Sequence, residues 1–197
     1  MILMKDIIRE GNPILNQKAK NVDVPVKKED KELLISMLEY VRNSVDEEIQ
    51  KKYDLRPSVG LAAPQLGISK RMLAISAVDE KGELHEYAIM NPKILAYSEE
   101  LTYLDTGEGC LSVDREVEGY VFRRKRITFK AIFLENGKLV KKQIKLRGYL
   151  AVVFQHEYDH LDGILFPDRI NKDNPFFVPK NASKIEFKNE EEEIRVK

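Results

Sequence analysis

The sequence predicts an α+β fold: mostly antiparallel strands around a central helix bearing H-E-x-x-H, with a long N-terminal scaffold helix ahead of them. Three observations predict it. A 3.6-residue apolar period runs through residues 29–52. Two strand-like runs flank Asn136-Gly137, a strong hairpin signal. The apolar run Tyr149–Phe154 leads directly into His156-Glu157-Tyr158-Asp159-His160, so the helix carrying that pentapeptide is expected to be buried.

Residues 1–27 hold turn signals at Gly11-Asn12-Pro13 and Val24-Pro25 and read as an irregular N-terminal arm. From Glu29 to about Lys52, Leu34, Leu38, Val41, Val45 and Ile49 form one apolar stripe. Glu29 and Asp30 suit the positive end of that helix. Pro57 breaks the connector that follows. The segment Val59-Gly60-Leu61-Ala62-Ala63-Pro64-Gln65-Leu66-Gly67 is rich in small residues, a sign of backbone held close to something else. Arg71–Val78 reads as a strand and Leu84–Met90 as a second, ended by Asn91-Pro92; Lys93–Ser98 is a third. Thr106–Ser112 is a glycine-flanked turn around Cys110. Arg126–Leu134 and Leu139–Leu146 make the hairpin, with Ile127, Phe129, Ala131 and Phe133 on one face. Gly163 stops the H-E-x-x-H helix. Pro167 and Pro175 mark an extended exit, and the charged run 189–197 reads as a solvated tail. The whole, residues 1–197, reads as one catalytic domain.

Charged residues make up 34% of the 197 and balance to a net charge of zero. No long basic stripe stands out, so nucleic-acid binding is not indicated. The first residues turn polar too soon for a signal peptide, and no run is long enough to span a membrane. The single cysteine excludes an intramolecular disulfide framework and fits a reducing compartment. The expected location is the cytoplasm.

Positions four apart on a helix lie on one face. His156 and His160 can therefore direct two imidazoles at one metal ion, while Glu157, displaced by one position, reaches a water as general base. Catalytic sites of this kind use three protein ligands and keep one position open. The later protease pattern needs a histidine six residues past the second, where Phe166 stands. Glutamates from Glu186 onward sit in the charged tail. Cys110, a thiolate donor in a tight turn, is the better third candidate.

Three segments resemble the signature motifs of the peptide deformylases, in the same order. They are Val59–Gln65, Glu108-Gly109-Cys110-Leu111-Ser112 and Gln155-His156-Glu157-Tyr158-Asp159-His160. With the intervening chain the resemblance spans about residues 5–170. One departure is Ser58, where the first motif often begins with glycine. The segment ahead of the glycine-rich motif, and Val113-Asp114-Arg115 following the cysteine motif, resemble the longer bacterial subtype. The resemblance implies removal of the formyl group from the N-terminal formyl-methionine of nascent polypeptides, with release of formate. By resemblance, Gln65 and the Leu111 N–H stabilise the developing oxyanion beside the metal. Val59, Gly60 and Gly109 offer backbone hydrogen bonds to an extended substrate, and Tyr149, Val152 and Val153 line the methionine pocket. The family typically works with Fe²⁺; a site of one thiolate and two imidazoles also accepts Zn²⁺, Ni²⁺ or Co²⁺. The partners implied are N-formyl-methionyl nascent peptides, with transient ribosome association left open.

Arg123 has two readings, a partner for Glu108 in the cysteine turn or a solvated surface charge, and the latter is the simpler. His85 reads as an exposed strand residue. Two rivals stand beside the deformylase reading. One is a zinc endopeptidase, which requires a groove open on both sides of the scissile bond. The other is a structural metal site, which requires a fourth protein ligand.

Overall fold

The computed structural model describes residues 1–187; the charged run 189–197 lies outside them. The arm carries two short 3₁₀ turns, Met4–Asp6 and Pro13–Asn16. It is anchored by buried Ile7, Leu15, Ala19 and Val22. Helices α1 (Lys28–Val45) and α2 (Glu47–Tyr53) follow.

The apolar period over 29–52 predicts one helix, whereas the chain makes two. Asp46 is the reason. Its φ and ψ are extended, and its side chain accepts hydrogen bonds from the N–H groups of Glu48 and Ile49, so it caps a new helix. The buried stripe of α1 is Leu34, Met37, Tyr40, Val41 and Ser44. Val45, assigned to the stripe by spacing, is exposed because the helix ends there.

Strands β1 (Gly60–Ala62), β2 (Met72–Val78) and β3 (Leu84–Tyr97) come next, then the short β4 (Leu101–Tyr103) and β5 (Arg123–Arg124). The hairpin β6 (Arg126–Glu135) and β7 (Lys138–Arg147) leads into α3 (Gly148–Leu161), and β8 (Ala182–Lys184) closes the described chain. β1-β2-β3-β6-β7 form one antiparallel sheet in that order. β5-β4-β8 form a small separate sheet, whose β4–β8 pair is parallel.

Asn91-Pro92 does not end a strand, as the sequence predicts; β3 runs through it. The register against β6 shifts between Met90 and Lys93, a bulge that accommodates a residue with no N–H. Asn91 takes the left-handed conformation, φ 51°. Its side chain accepts from Val22 N (2.7 Å) and donates to Val22 O (2.9 Å), which ties the arm to the bulge. In the hairpin, Glu135 pairs with Lys138. Asn136 (φ 47°) and Gly137 (φ 75°) form the two-residue turn, both tolerating the positive φ that it requires.

Alternation along the strands divides the core. Leu61, Met72 and Ala74 join α1 on one face of the large sheet. Ala62, Leu73, Ile75, Phe129 and Phe133 join α3 on the other. Phe154 of α3 stacks on Phe129 with ring centroids 4.0 Å apart. The C-terminal end of α3 is fixed by Arg71, whose guanidinium donates to Leu161 O (3.0 Å) and Asp162 Oδ1 (2.7 Å), a cation at the negative helix end. Gly163 then turns the chain at φ 75°, against the arm.

A Cβ at Gly163 would lie 2.7 Å from Asn16 C and Gln17 N, backbone atoms that cannot move aside cheaply. Gly163→Ala is therefore expected to destabilise the fold by about 3 kcal/mol, from left-handed strain plus overpacking. Urea unfolding of the variant against the parent measures it.

Candidate metal centre

Two elements build the centre. Helix α3 presents His156 and His160 one turn apart, and the irregular turn 104–112 returns Cys110 to them. The ligand atoms of Cys110, His156 and His160 all lie within 4.8 Å of one another. Cys110 Sγ is 3.4 Å from His160 Nε2. Ser112 N donates to the same sulfur at 3.4 Å, and Gln65 Nε2 lies 3.5 Å from it.

Gln65 is 2% exposed. Its Oε1 accepts from Ala62 N at 2.9 Å, which turns its amide N–H₂ toward Cys110 and toward Ser112 Oγ at 3.3 Å. Leu111 sits in the turn beside Cys110, 4% exposed.

Glu157 is buried on the same helix, and its Oε2 has no hydrogen-bond partner. Burial raises its pKa to about 7, with the Glu108 charge acting in the same sense. Gly60 lies against it: a Cβ there would come 2.3 Å from Glu157 Oε1. With Glu157 placed as it is, a side chain here would collide with its carboxylate arm, and this is the close approach that the glycine-rich segment signals. Burial, then the neighbouring His156, holds the His160 pKa well below its ordinary value, which keeps the imidazole neutral as a ligand requires.

His156 Nδ1 donates to Glu108 Oε2 at 2.8 Å, which leaves Nε2 for a ligand. Glu108 also takes both nitrogens of a fork from Arg123, Nε to Oε1 and Nη2 to Oε2, each 2.9 Å. Arg123 Nη1 donates to Asp159 Oδ2 at 2.5 Å, and Arg169 reaches Asp159 from outside at 2.6 and 3.0 Å. Arg123 is only 3% exposed, so the surface reading of it is wrong. Two carboxylates draw it inward, one from the cysteine turn and one from α3. Burial opposes the charge on Glu108, but Arg123 outweighs it and holds the carboxyl at about 2. Sequence reasoning misses Asp159 and Arg169, because Asp159 is hidden as a variable position inside H-E-x-x-H. His85 is half-buried on β3, 3.1 Å from Asp79 Oδ2, and takes no part.

A pocket of about 110 Å³ opens beside His156, lined by Val59, Gly109, Tyr149, Val152 and Val153, with Leu104, Gly107 and Glu108. Five of these are substrate-binding residues expected from sequence. Gly60 lies outside this lining, behind Glu157.

One thiolate and two imidazoles, with a buried unpartnered carboxylate oxygen beside them, suit a divalent cation of the zinc or ferrous type. Such a donor set on an α+β frame is that of a metal-dependent hydrolase. Residues 4–176 match the family model described as polypeptide deformylase. A peptide deformylase of Oceanobacillus iheyensis is 54% identical over 186 residues, 94% of this chain and 100% of that protein. Peptide deformylase 2 of Bacillus subtilis is 50% identical over the same shares. Among solved structures, a Thermotoga maritima peptide deformylase is similar with TM-score 0.62 and 36% identity, over 84% of this chain and 96% of that one. A Met-Ala-Ser-bound class I type b peptide deformylase of Acinetobacter baumannii gives 0.63 and 30%, over 83% and 96%. The chain belongs to the polypeptide deformylase family and removes the N-formyl group from nascent peptides. Among the described residues, no helix is long and apolar enough to cross a membrane.

Removing Arg123 leaves Glu108 and Asp159 short of a buried counter-charge. Arg123→Met is expected to cost about 3–5 kcal/mol, read as a lowered urea midpoint, and to weaken metal retention during dialysis against a chelator.

Proposed function

We propose that Cys110, His156 and His160 hold the catalytic cation and that Glu157 moves the protons of formamide hydrolysis. The convergence of three donor atoms beside the unpartnered Glu157 Oε2 carries this reading. The cation's contribution is to acidify water and polarise a carbonyl oxygen. Glu157 accepts a proton from the attacking water and returns it to the amine as the C–N bond breaks. One water and one formamide thus give formate and a free α-amine. A carboxyl poised at about 7 gains and releases a proton near neutrality with little driving force either way.

Negative charge develops on the formyl oxygen as the carbon becomes tetrahedral. The Gln65 amide, aimed by Ala62 N, and the Leu111 N–H are the donors placed to meet it. Val59, Gly109, Tyr149, Val152 and Val153 shape an apolar recess beside His156 for a methionine side chain. Val59 O accepts from Ser76 N at 3.0 Å, so pairing alternation turns the N–H and C=O of Gly60 away from β2, along the free edge of the sheet. An extended peptide adds there as a further strand. The A. baumannii structure with Met-Ala-Ser bound supports a peptide of this length as ligand. The cation is Fe²⁺, with Zn²⁺, Ni²⁺ and Co²⁺ as substitutes.

Glu157→Ala is expected to lower kcat/KM on formyl-Met-Ala-Ser by roughly 10²–10⁴-fold, with metal content and circular dichroism unchanged. Retained activity would favour a structural metal site. Cleavage of an internal peptide bond at a comparable rate would favour an endopeptidase. Anaerobic reconstitution is expected to give higher formate release with Fe²⁺ or Ni²⁺ than with Zn²⁺. Equal rates in all three would remove the ferrous assignment.

A further inference from the structure

Gly60 has Glu157 on one side and the Ser58 hydroxyl on the other. Ser58 Oγ donates to Gly60 O at 2.6 Å, and Gly60 N lies 3.4 Å from the same Oγ. Both edge-facing backbone groups of Gly60 are thus met by one side chain from the same segment. A hydroxyl has one proton to donate and lone pairs to accept with. It satisfies the groups that an incoming strand would otherwise take.

The hydroxyl is held in position by another serine. Ser44, fully buried on α1, accepts from Ser58 N at 3.0 Å and lies 3.1 Å from Ser58 O and 2.9 Å from Val41 O. Ser58 is itself only partly buried, so its side chain has room to turn while its backbone stays tied to α1.

We propose that the Ser58 hydroxyl is a placeholder for substrate backbone at the free edge of β1. It holds the Gly60 carbonyl until an extended peptide displaces it, and the displaced bond raises KM. The inference rests on strand addition at β1, and the test separates the two. Ser58→Ala is assayed on formyl-Met-Ala-Ser and on the same peptide N-methylated at the Ala and Ser nitrogens. The anchoring bonds from Ser44 go to the Ser58 backbone, so the alanine variant keeps its strand seated, and its thermal midpoint checks this.

The expected result is a KM on the plain peptide lowered roughly two- to tenfold, the span of one net hydrogen bond, with a smaller change in kcat. N-methylation is expected to raise KM in both proteins. If N-methylation raises KM in the parent but Ser58→Ala leaves KM unchanged or higher, strand addition stands and the placeholder is overturned. If N-methylation leaves KM unchanged in both, strand addition itself fails and the placeholder with it.

Discussion

A file of alternating charges leads from solvent to the metal centre: Arg169, Asp159, Arg123, Glu108, then His156. The arginines and carboxylates balance two against two. Burying such groups is costly, and a well-packed apolar replacement is often no less stable. What the file supplies is position. Glu108 belongs to the turn that carries Cys110, Asp159 to the helix that carries both histidines, and Arg123 to β5 between them. A guanidinium fork fixes direction as well as distance, so the sulfur and the imidazoles arrive together.

The same file sets the chemistry of one imidazole. Glu108 accepts from His156 Nδ1 and so leaves the Nε2 side of the ring to face Cys110 and His160. Burial disfavours charge on His156, but the neighbouring Cys110 and Glu108 side chains outweigh it and hold its pKa well above the ordinary value. Glu157, one position along, has no such partner, and its carboxyl stays close to neutrality.

Much of this is legible in the sequence where a local rule governs it. The Asn136-Gly137 hairpin, the buried run before His156 and the glycine at position 60 each follow from backbone sterics or periodicity. What is not legible depends on partners distant in the chain. The apolar period alone does not reveal that Asp46 caps a further helix, because a cap reads as one more polar residue on the outer face. Asn91-Pro92 resembles a strand end until Val22, 69 residues away, engages the asparagine side chain. Arg123 passes for a surface charge until Glu108 and Asp159 close around it. Three-dimensional pairing of charges leaves no periodic trace.

The two edges of the large sheet differ in how they are guarded. An unpaired edge invites any extended chain. β7 is long and mostly exposed, and it carries Lys138, Lys141, Lys142, Lys145 and Arg147, charges that discourage another strand from docking. β1 carries no charged residue and spans only three residues, Gly60–Ala62, all buried. Charges there would sit within reach of Glu157. Its protection is shortness, the tether of Ser58 to Ser44 and the neutral Ser58 hydroxyl on the Gly60 carbonyl. An edge defended in that way stays closed to casual pairing without placing a charge beside the buried Glu157.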